Sequence, residues 1–281
     1  MQRYFISLML MLVFSSTSTI YASETLVFGL YANEKPSTII KKFRPIIQQL
    51  EIDLTRLMGK EVSIETDIAP SYDDGIERLT SGRVDFARFG PVSYIKAKQI
   101  EPKIKIIVVE SNNGSRSFQG VICTQPNSFD TLAMIKGHSF AFGGKGSTIG
   151  RYLSQHILLT NNIYAGNLSN FEYLSRHDKV GIAVSKGLYD AGALKFSTYQ
   201  SLIEKGYKLK AIHYFDVPTK PWIIRKDLDK NTADALQTSL LSFNNKDALR
   251  ILKKSGFLMP KKGQFSEIGD AIVHSADFFS R

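Results

Sequence analysis

The sequence predicts an α/β protein built as two similar lobes with a cleft between them. Three observations predict it. Strand-like and helix-like segments alternate from residue 24 to residue 225, the pattern of mostly parallel sheets flanked by helices. One turn occurs twice. Ser81-Gly82-Arg83-Val84-Asp85-Phe86-Ala87 and Lys186-Gly187-Leu188-Tyr189-Asp190-Ala191-Gly192 both read as helix end, Gly, two residues, Asp, strand. Finally, a Gly-rich run at 142–150 joins a strand to a helix.

The elements follow in order. Residues 26–31 are an apolar first strand. Ser37 is a candidate cap for a helix reaching Met58, because Ile39, Ile40, Phe43, Ile46, Ile47, Leu50, Leu54 and Leu57 keep the helical period. Residues 62–68 alternate as a strand. The segment 69–98, APSYDDGIERLTSGRVDFARFGPVSYIKAK, reads as a helix from Tyr72, an αL stop at Gly82, a buried strand over 84–89, and a second helix with Pro91 in its first turn. Strands at 104–109 and 118–124 flank a polar break at 112–117. A short helix capped by Asp130, a strand at 139–142 and a helix from Ser147 to about Leu159 begin the second unit. It continues with an extended piece at 170–174, a helix at 178–186, a strand at 189–194, a helix from Ser197, and strands at 209–215 and 222–225. The tail from Thr232 reads as helices broken at Gly256 and Gly263. The expected division is a first lobe of 24–116 and 229–281 and a second of 117–228, with a hinge near 112–118 and a return near 226–230.

The N-terminus has one basic residue, Arg3, an apolar core over 4–14 and a small polar stretch over 15–23. This layout predicts a secretory leader at 1–22, cleaved after Ala22. Its apolar core is shorter than the roughly 20 residues that span a bilayer. The expected product is periplasmic and not a lipoprotein, since no Cys lies near the cleavage site. The single Cys, Cys123, sits in the apolar run Val121-Ile122-Cys123 and reads as a buried small hydrophobe. The net charge is +10, and +9 without Arg3. The basic residues are dispersed rather than gathered in a stripe with aromatics, so the charge argues for attraction of small anions and against nucleic acid.

The run Gly143-Gly144-Lys145-Gly146-Ser147-Thr148-Ile149-Gly150 is not a nucleotide-binding P-loop, because Gly146 separates Lys145 from Ser147. Helix N-terminal amides with the Ser147 and Thr148 hydroxyls do form the elements of an anion pocket. No Gly-x-Ser-x-Gly elbow is present, and no His pair has metal-ligand spacing. The sequence therefore predicts a binding protein without metal or cofactor, not an enzyme.

The order AP-x-Y, G-x-x-D-x-A, G-P-x-x-Y in 69–98 resembles the periplasmic solute-binding proteins for phosphate, phosphite and phosphonate that feed ABC importers. The resemblance extends over about residues 26–225. It implies a type II periplasmic-binding-protein fold with the ligand cleft between the lobes, a small oxyanion ligand, a membrane permease as partner and a monomeric chain. By the same resemblance Ser147, Thr148 and His177 hold the phosphoryl oxygens, with His177 a partly protonated donor, and Tyr72, Phe89 and Tyr94 face the ligand. Tyr31, Ile149, Lys195 and Lys220 complete the candidate set. Relatives that take aminophosphonates place carboxylates where this chain has Leu194-Lys195-Phe196-Ser197 and Val217-Pro218-Thr219-Lys220-Pro221. An ammonium-bearing ligand is poorly served there, and a plain oxyanion better. The alternative reading is a sensory module whose closed form meets a receptor kinase ectodomain.

Overall fold

A computed structural model describes residues 23–32 and 35–280; the expected leader, 1–22, lies outside the described residues. The first lobe opens with β1 (Glu24–Tyr31), α1 (Pro36–Met58), β2 (Val62–Ala69), α2 (Tyr72–Thr80), β3 (Phe86–Arg88), α3 (Pro91–Ile100) and β4 (Lys105–Ser111). The expected apolar stripe drives α1 onto the sheet, burying Ile39, Phe43, Ile46, Ile47, Leu50 and Leu54. Ile40 and Leu57 share the period but are exposed. The N-cap is Lys35, not Ser37, and Pro36 takes the first turn, where a missing N–H costs nothing. Phe28 of β1 anchors this core, stacked 4.8 Å from Phe86 and 5.0 Å from Trp222.

The second lobe contains β5 (Ser117–Thr124), β6 (Ser139–Phe142), α4 (Ser154–Thr160), β7 (Asn170–Tyr173), α5 (His177–Ser185), β8 (Ala191–Lys195), α6 (Phe196–Glu204) and β9 (Lys210–Pro218). Its sheet runs β7-β6-β8-β5-β9. A π-helical turn, Thr148–Leu153, leads into α4. Cys123 is fully buried, and burial pushes its thiol up to about 12, which leaves it an inert hydrophobe.

The chain returns to the first lobe earlier than expected. β10 (Pro221–Ile224) inserts between β3 and β4, antiparallel to both, so the second lobe ends at β9 and not at residue 228. The return is Thr219-Lys220. The physical reason is Trp222, which fills the first core beside Phe28 and Phe43. Next come α7 (Lys230–Leu241), α8 (Lys246–Leu252), β11 (Gly256–Leu258) and α9 (Ser266–Val273). β11 is a strand where a helix break was expected; it completes the first sheet as β11-β4-β10-β3-β1-β2. The tail does not stay on the first lobe. Phe278 is buried in the second core among Phe140, Phe142 and Phe171.

The repeated Gly-x-x-Asp turn now has a mechanical meaning. Gly82 and Gly187 adopt φ of 83° and 71°, the left-handed stop the sequence predicts. Each Asp then clamps the neighbouring strand: Asp85 accepts from the Val27 N–H at 2.7 Å, and Asp190 from the Ser139 N–H at 2.8 Å. Both lobes therefore set strand register with the same side chain.

Phe278→Ala empties a fully buried ring site in the second lobe. It should lower unfolding free energy by about 3 kcal/mol, read as a lower urea midpoint with the first-lobe Trp222 fluorescence as an independent probe.

Candidate functional site

A cavity of about 640 Å³ lies between the two sheets. The first lobe supplies Tyr31, Tyr72, Arg88, Gly90 and Glu110 to its wall; the second supplies Ser147, Thr148, His177 and Lys195; Lys220 lies on the crossing. These positions fall at strand ends and at the helix starts that follow them, the place where open α/β sheets bind ligands. Six helical segments contribute residues at their N-termini. They are α1 through Lys35, α2 through Tyr72, α3 through Gly90, the π-helical turn through Ser147, α5 through His177 and α6 through Lys195. Each N-terminus carries roughly half a positive charge.

The lobes touch here. Thr148 Oγ1 accepts from the Val92 N–H of α3 at 3.2 Å. The Tyr72 side chain lies against the Ser147 end of the opposite lobe, and its ring packs 4.5 Å from Tyr31. Tyr31 in turn accepts from the Gly90 N–H at 2.6 Å. Ser147 Oγ also caps its helix, accepting from the Gly150 N–H at 3.0 Å. The glycines of this run permit close approach: a Cβ on Gly146 would stand 2.7 Å from Tyr72 Cγ. Gly143 and Gly150 are similarly pressed together, bonded N–H to carbonyl at 2.7 Å.

The wall is strongly basic, with eight Lys and Arg side chains against two carboxylates. Both carboxylates are engaged. Glu110 is fully buried and accepts from Arg88 at 2.6 Å; Asp178 is paired with Arg176. Burial raises the Glu110 pKa, but Arg88, Lys254 and Lys220 outweigh it and hold the carboxylate ionised. Burial first, then neighbouring cations, push Lys195 down to about 8 and Lys220 well below the ordinary lysine range. Burial, with Lys195 and Lys220 nearby, also takes His177 down to about 4. In the empty cavity at neutral pH His177 is therefore an uncharged imidazole; the expected partly protonated donor is one beside a bound anion, whose charge would raise this value. Its Nδ1 is buried without a protein partner.

Of the expected aromatics, Tyr31 and Tyr72 line the cavity; Phe89 and Tyr94 do not. Phe89 is fully buried, 5.5 Å from the Tyr31 ring, and Tyr94 packs on Phe265 at 5.2 Å. Ile149 touches the wall, but most of it is buried in an apolar cluster with Val92, Leu153 and Phe265. Arg88, Glu110, Lys42 and Lys254 are wall residues that the sequence reading missed. Arg88 was legible: it alternates with Ala87 and Phe89, both buried, and so must face the other way. Lys254 comes from the tail and had no local signal.

Two lobes of like build, joined by crossing strands around a cleft, define a periplasmic-binding-protein fold. The chain belongs to the family described as ABC transporter, phosphonate, periplasmic substrate-binding protein, whose model matches residues 28–264. Members are substrate-binding components rather than enzymes. The probable ABC transporter phosphite binding protein PhnD1 of Prochlorococcus marinus is 21% identical over 296 residues, covering 95% of each chain. The phosphate-import protein PhnD of Mycolicibacterium smegmatis is 24% identical over 195 residues. That match covers 65% of this chain and only 59% of the relative. The structure of Prochlorococcus PhnD1 with methylphosphonate superposes with a TM-score of 0.74 at 18% identity, covering 88% of this chain and 96% of that one. Among the described residues no helix is long and apolar enough to cross a membrane.

Gly146→Ala sets a methyl against the Tyr72 ring across the cleft. It should leave each lobe folded but hold the lobes apart, raising the radius of gyration in small-angle scattering and weakening ligand binding. A second expectation concerns pH. Lys195 titrates near 8 when folded and near 10.4 when unfolded. Between those values the unfolded chain binds more protons, so ligand-free stability should rise with pH in that window. The rise should shrink in Lys195→Met when melting temperatures are compared from pH 7 to pH 10.

Proposed function

We propose that this protein captures a small phosphorus oxyanion, phosphate, phosphite or a simple phosphonate, in the interlobe cleft and delivers it to an ABC permease by lobe closure. The observation that carries this reading is the convergence of six helix N-termini and a lysine-rich wall on one cavity. Such a wall has little to offer a cation or a neutral sugar, and much to offer an anion with several acceptor oxygens.

The roles follow from the geometry. Thr148 accepts from Val92, which leaves its O–H to donate. Ser147 and Tyr72, both on the cavity wall, present hydroxyls from opposite lobes. His177 supplies an N–H donor. An anion held by these groups contacts both lobes at once, so its binding energy favours the closed form. An ammonium-bearing phosphonate would meet Lys195 and Lys220, since the one buried acid, Glu110, is already matched by Arg88. The likeness to Prochlorococcus PhnD1, solved with methylphosphonate, supports the phosphoryl end of the reading. Nothing in the wall favours presentation to a receptor kinase.

Calorimetric titration with phosphate, phosphite, methylphosphonate and 2-aminoethylphosphonate tests this. One-to-one binding of at least one of the first three, with the amine weakest, is expected. Ser147→Ala and Thr148→Val should each weaken it about tenfold or more, because a hydrogen bond to a charged acceptor contributes roughly 1.5–3 kcal/mol. No heat from any of the four with a folded protein would overturn the reading.

A further inference from the structure

The phosphoryl-holding groups use only part of the cavity. Beyond His177 the wall changes character, from hydroxyls and helix amides to ammonium groups around one aromatic ring. Lys195, from the end of β8 in the second lobe, stands 5.2 Å from the centre of the Phe118 ring. Lys254, from the first-lobe segment between α8 and β11, stands 5.4 Å from the same ring. Lys220 lies on the strand crossing, beside the Arg88–Glu110 pair.

We propose that Lys195, Lys220 and Lys254 form a second anion subsite around Phe118, and that the ligand is a doubly anionic phosphonate, one carrying a carboxylate or a second phosphoryl group. The proposal rests on the phosphorus-oxyanion reading above and specifies its substrate class.

Four observations converge. First, the wall sets two carboxylates against eight basic side chains, and each carboxylate is paired with an arginine, so Glu110, although it also attracts the three lysines, cannot match them all. Second, the three lysines come from the second lobe, the crossing and the first lobe, so an anion among them would tie the lobes together at a second point. Third, holding these ammonium groups is costly while the cavity is empty: burial first, and neighbouring cations second, depress the titration of Lys195, Lys220 and Lys254. One phosphonate held at Ser147 and Thr148 would leave that repulsion largely in place. Fourth, a 640 Å³ cavity falls in the range of pockets that enclose drug-sized ligands, well beyond methylphosphonate alone. His177 links the two ends, since it lines the cavity and feels both Lys195 and Lys220.

The experiment is a competition titration of the protein with methylphosphonate, phosphonoacetate, 3-phosphonopropionate and methylenediphosphonate at pH 7. At least one doubly anionic ligand should bind ten times tighter than methylphosphonate or better; which one identifies the second group. Lys195→Met and Lys254→Met, each keeping an apolar stem against Phe118, should bring that ratio close to one. Lys254 lies on a connecting segment, so its variant tests the subsite even if Lys195→Met misfolds. Methylphosphonate binding as tightly as every doubly anionic ligand, or a ratio unmoved in the folded variants, would overturn the second subsite and leave the phosphorus-oxyanion function standing. Absence of binding by all four would overturn the second subsite, and would overturn the phosphorus-oxyanion reading as well only if phosphate and phosphite were also silent.

Discussion

Groups of like sign cannot face one another across a narrow, half-dry space at no cost, and the charged groups around the cleft of this protein are mostly of one sign. Positive helix ends from both lobes and eight basic side chains surround one cavity, with two carboxylates already matched by arginines. The consequences are visible throughout the site. Lysines titrate low, His177 loses its charge, and Glu110 stays ionised although fully buried. The lobes nevertheless meet, through Thr148 on the Val92 amide and Tyr72 on Ser147. Under the proposed function, a small anion placed between them would relieve the repulsion and add its own hydrogen bonds, so capture and closure would be one event.

The scaffold makes that closure possible by sharing elements between the lobes. Strands cross at 112–116 and at Thr219-Lys220, and the two crossings run side by side, with Thr219 N–H donating to the Arg116 carbonyl at 2.8 Å. A third connection is the tail, which leaves β11, packs α9 near the interlobe apolar cluster and ends with Phe278 in the second core. Lys220 lies on a crossing, so one cavity lysine sits on a joint itself, while Lys254, between α8 and β11, belongs to the first lobe. A movement of the lobes therefore changes the geometry of the site directly, without a relay.

Much of this was legible from local chemistry. Gly82 and Gly187 were readable as left-handed stops because a helix that turns at once into a strand needs a residue free of Cβ strain. Ser147 and Thr148 were readable as cavity donors because hydroxyls at a helix start after a strand point where strands end. Other features were not. The glycines of 143–150 suggest room for an anion, yet they also allow backbone and ring to approach: Gly143 meets Gly150 and Gly146 meets Tyr72. Phe89 and Tyr94 matched a motif in position, but their rings satisfy core neighbours instead. The charge of His177 depends first on its burial and then on Lys195 and Lys220, which are distant in sequence, so no local pattern could set it.

By itself the sequence determined the α/β alternation, the two-lobed plan, the family and the place of the Ser147 and Thr148 hydroxyls on the cavity wall, because each rests on neighbours within a few residues or on an ordered string of motifs. Tertiary structure alone decided that β10 belongs to the first sheet, that the tail closes on the second core, and that Lys195, Lys220 and Lys254 share one cavity. Those outcomes depend on which buried surface a ring such as Trp222 or Phe278 fills, and on charges brought together from segments far apart in the chain. Both are properties of packing and of electrostatic distance, which a linear order of residues does not contain.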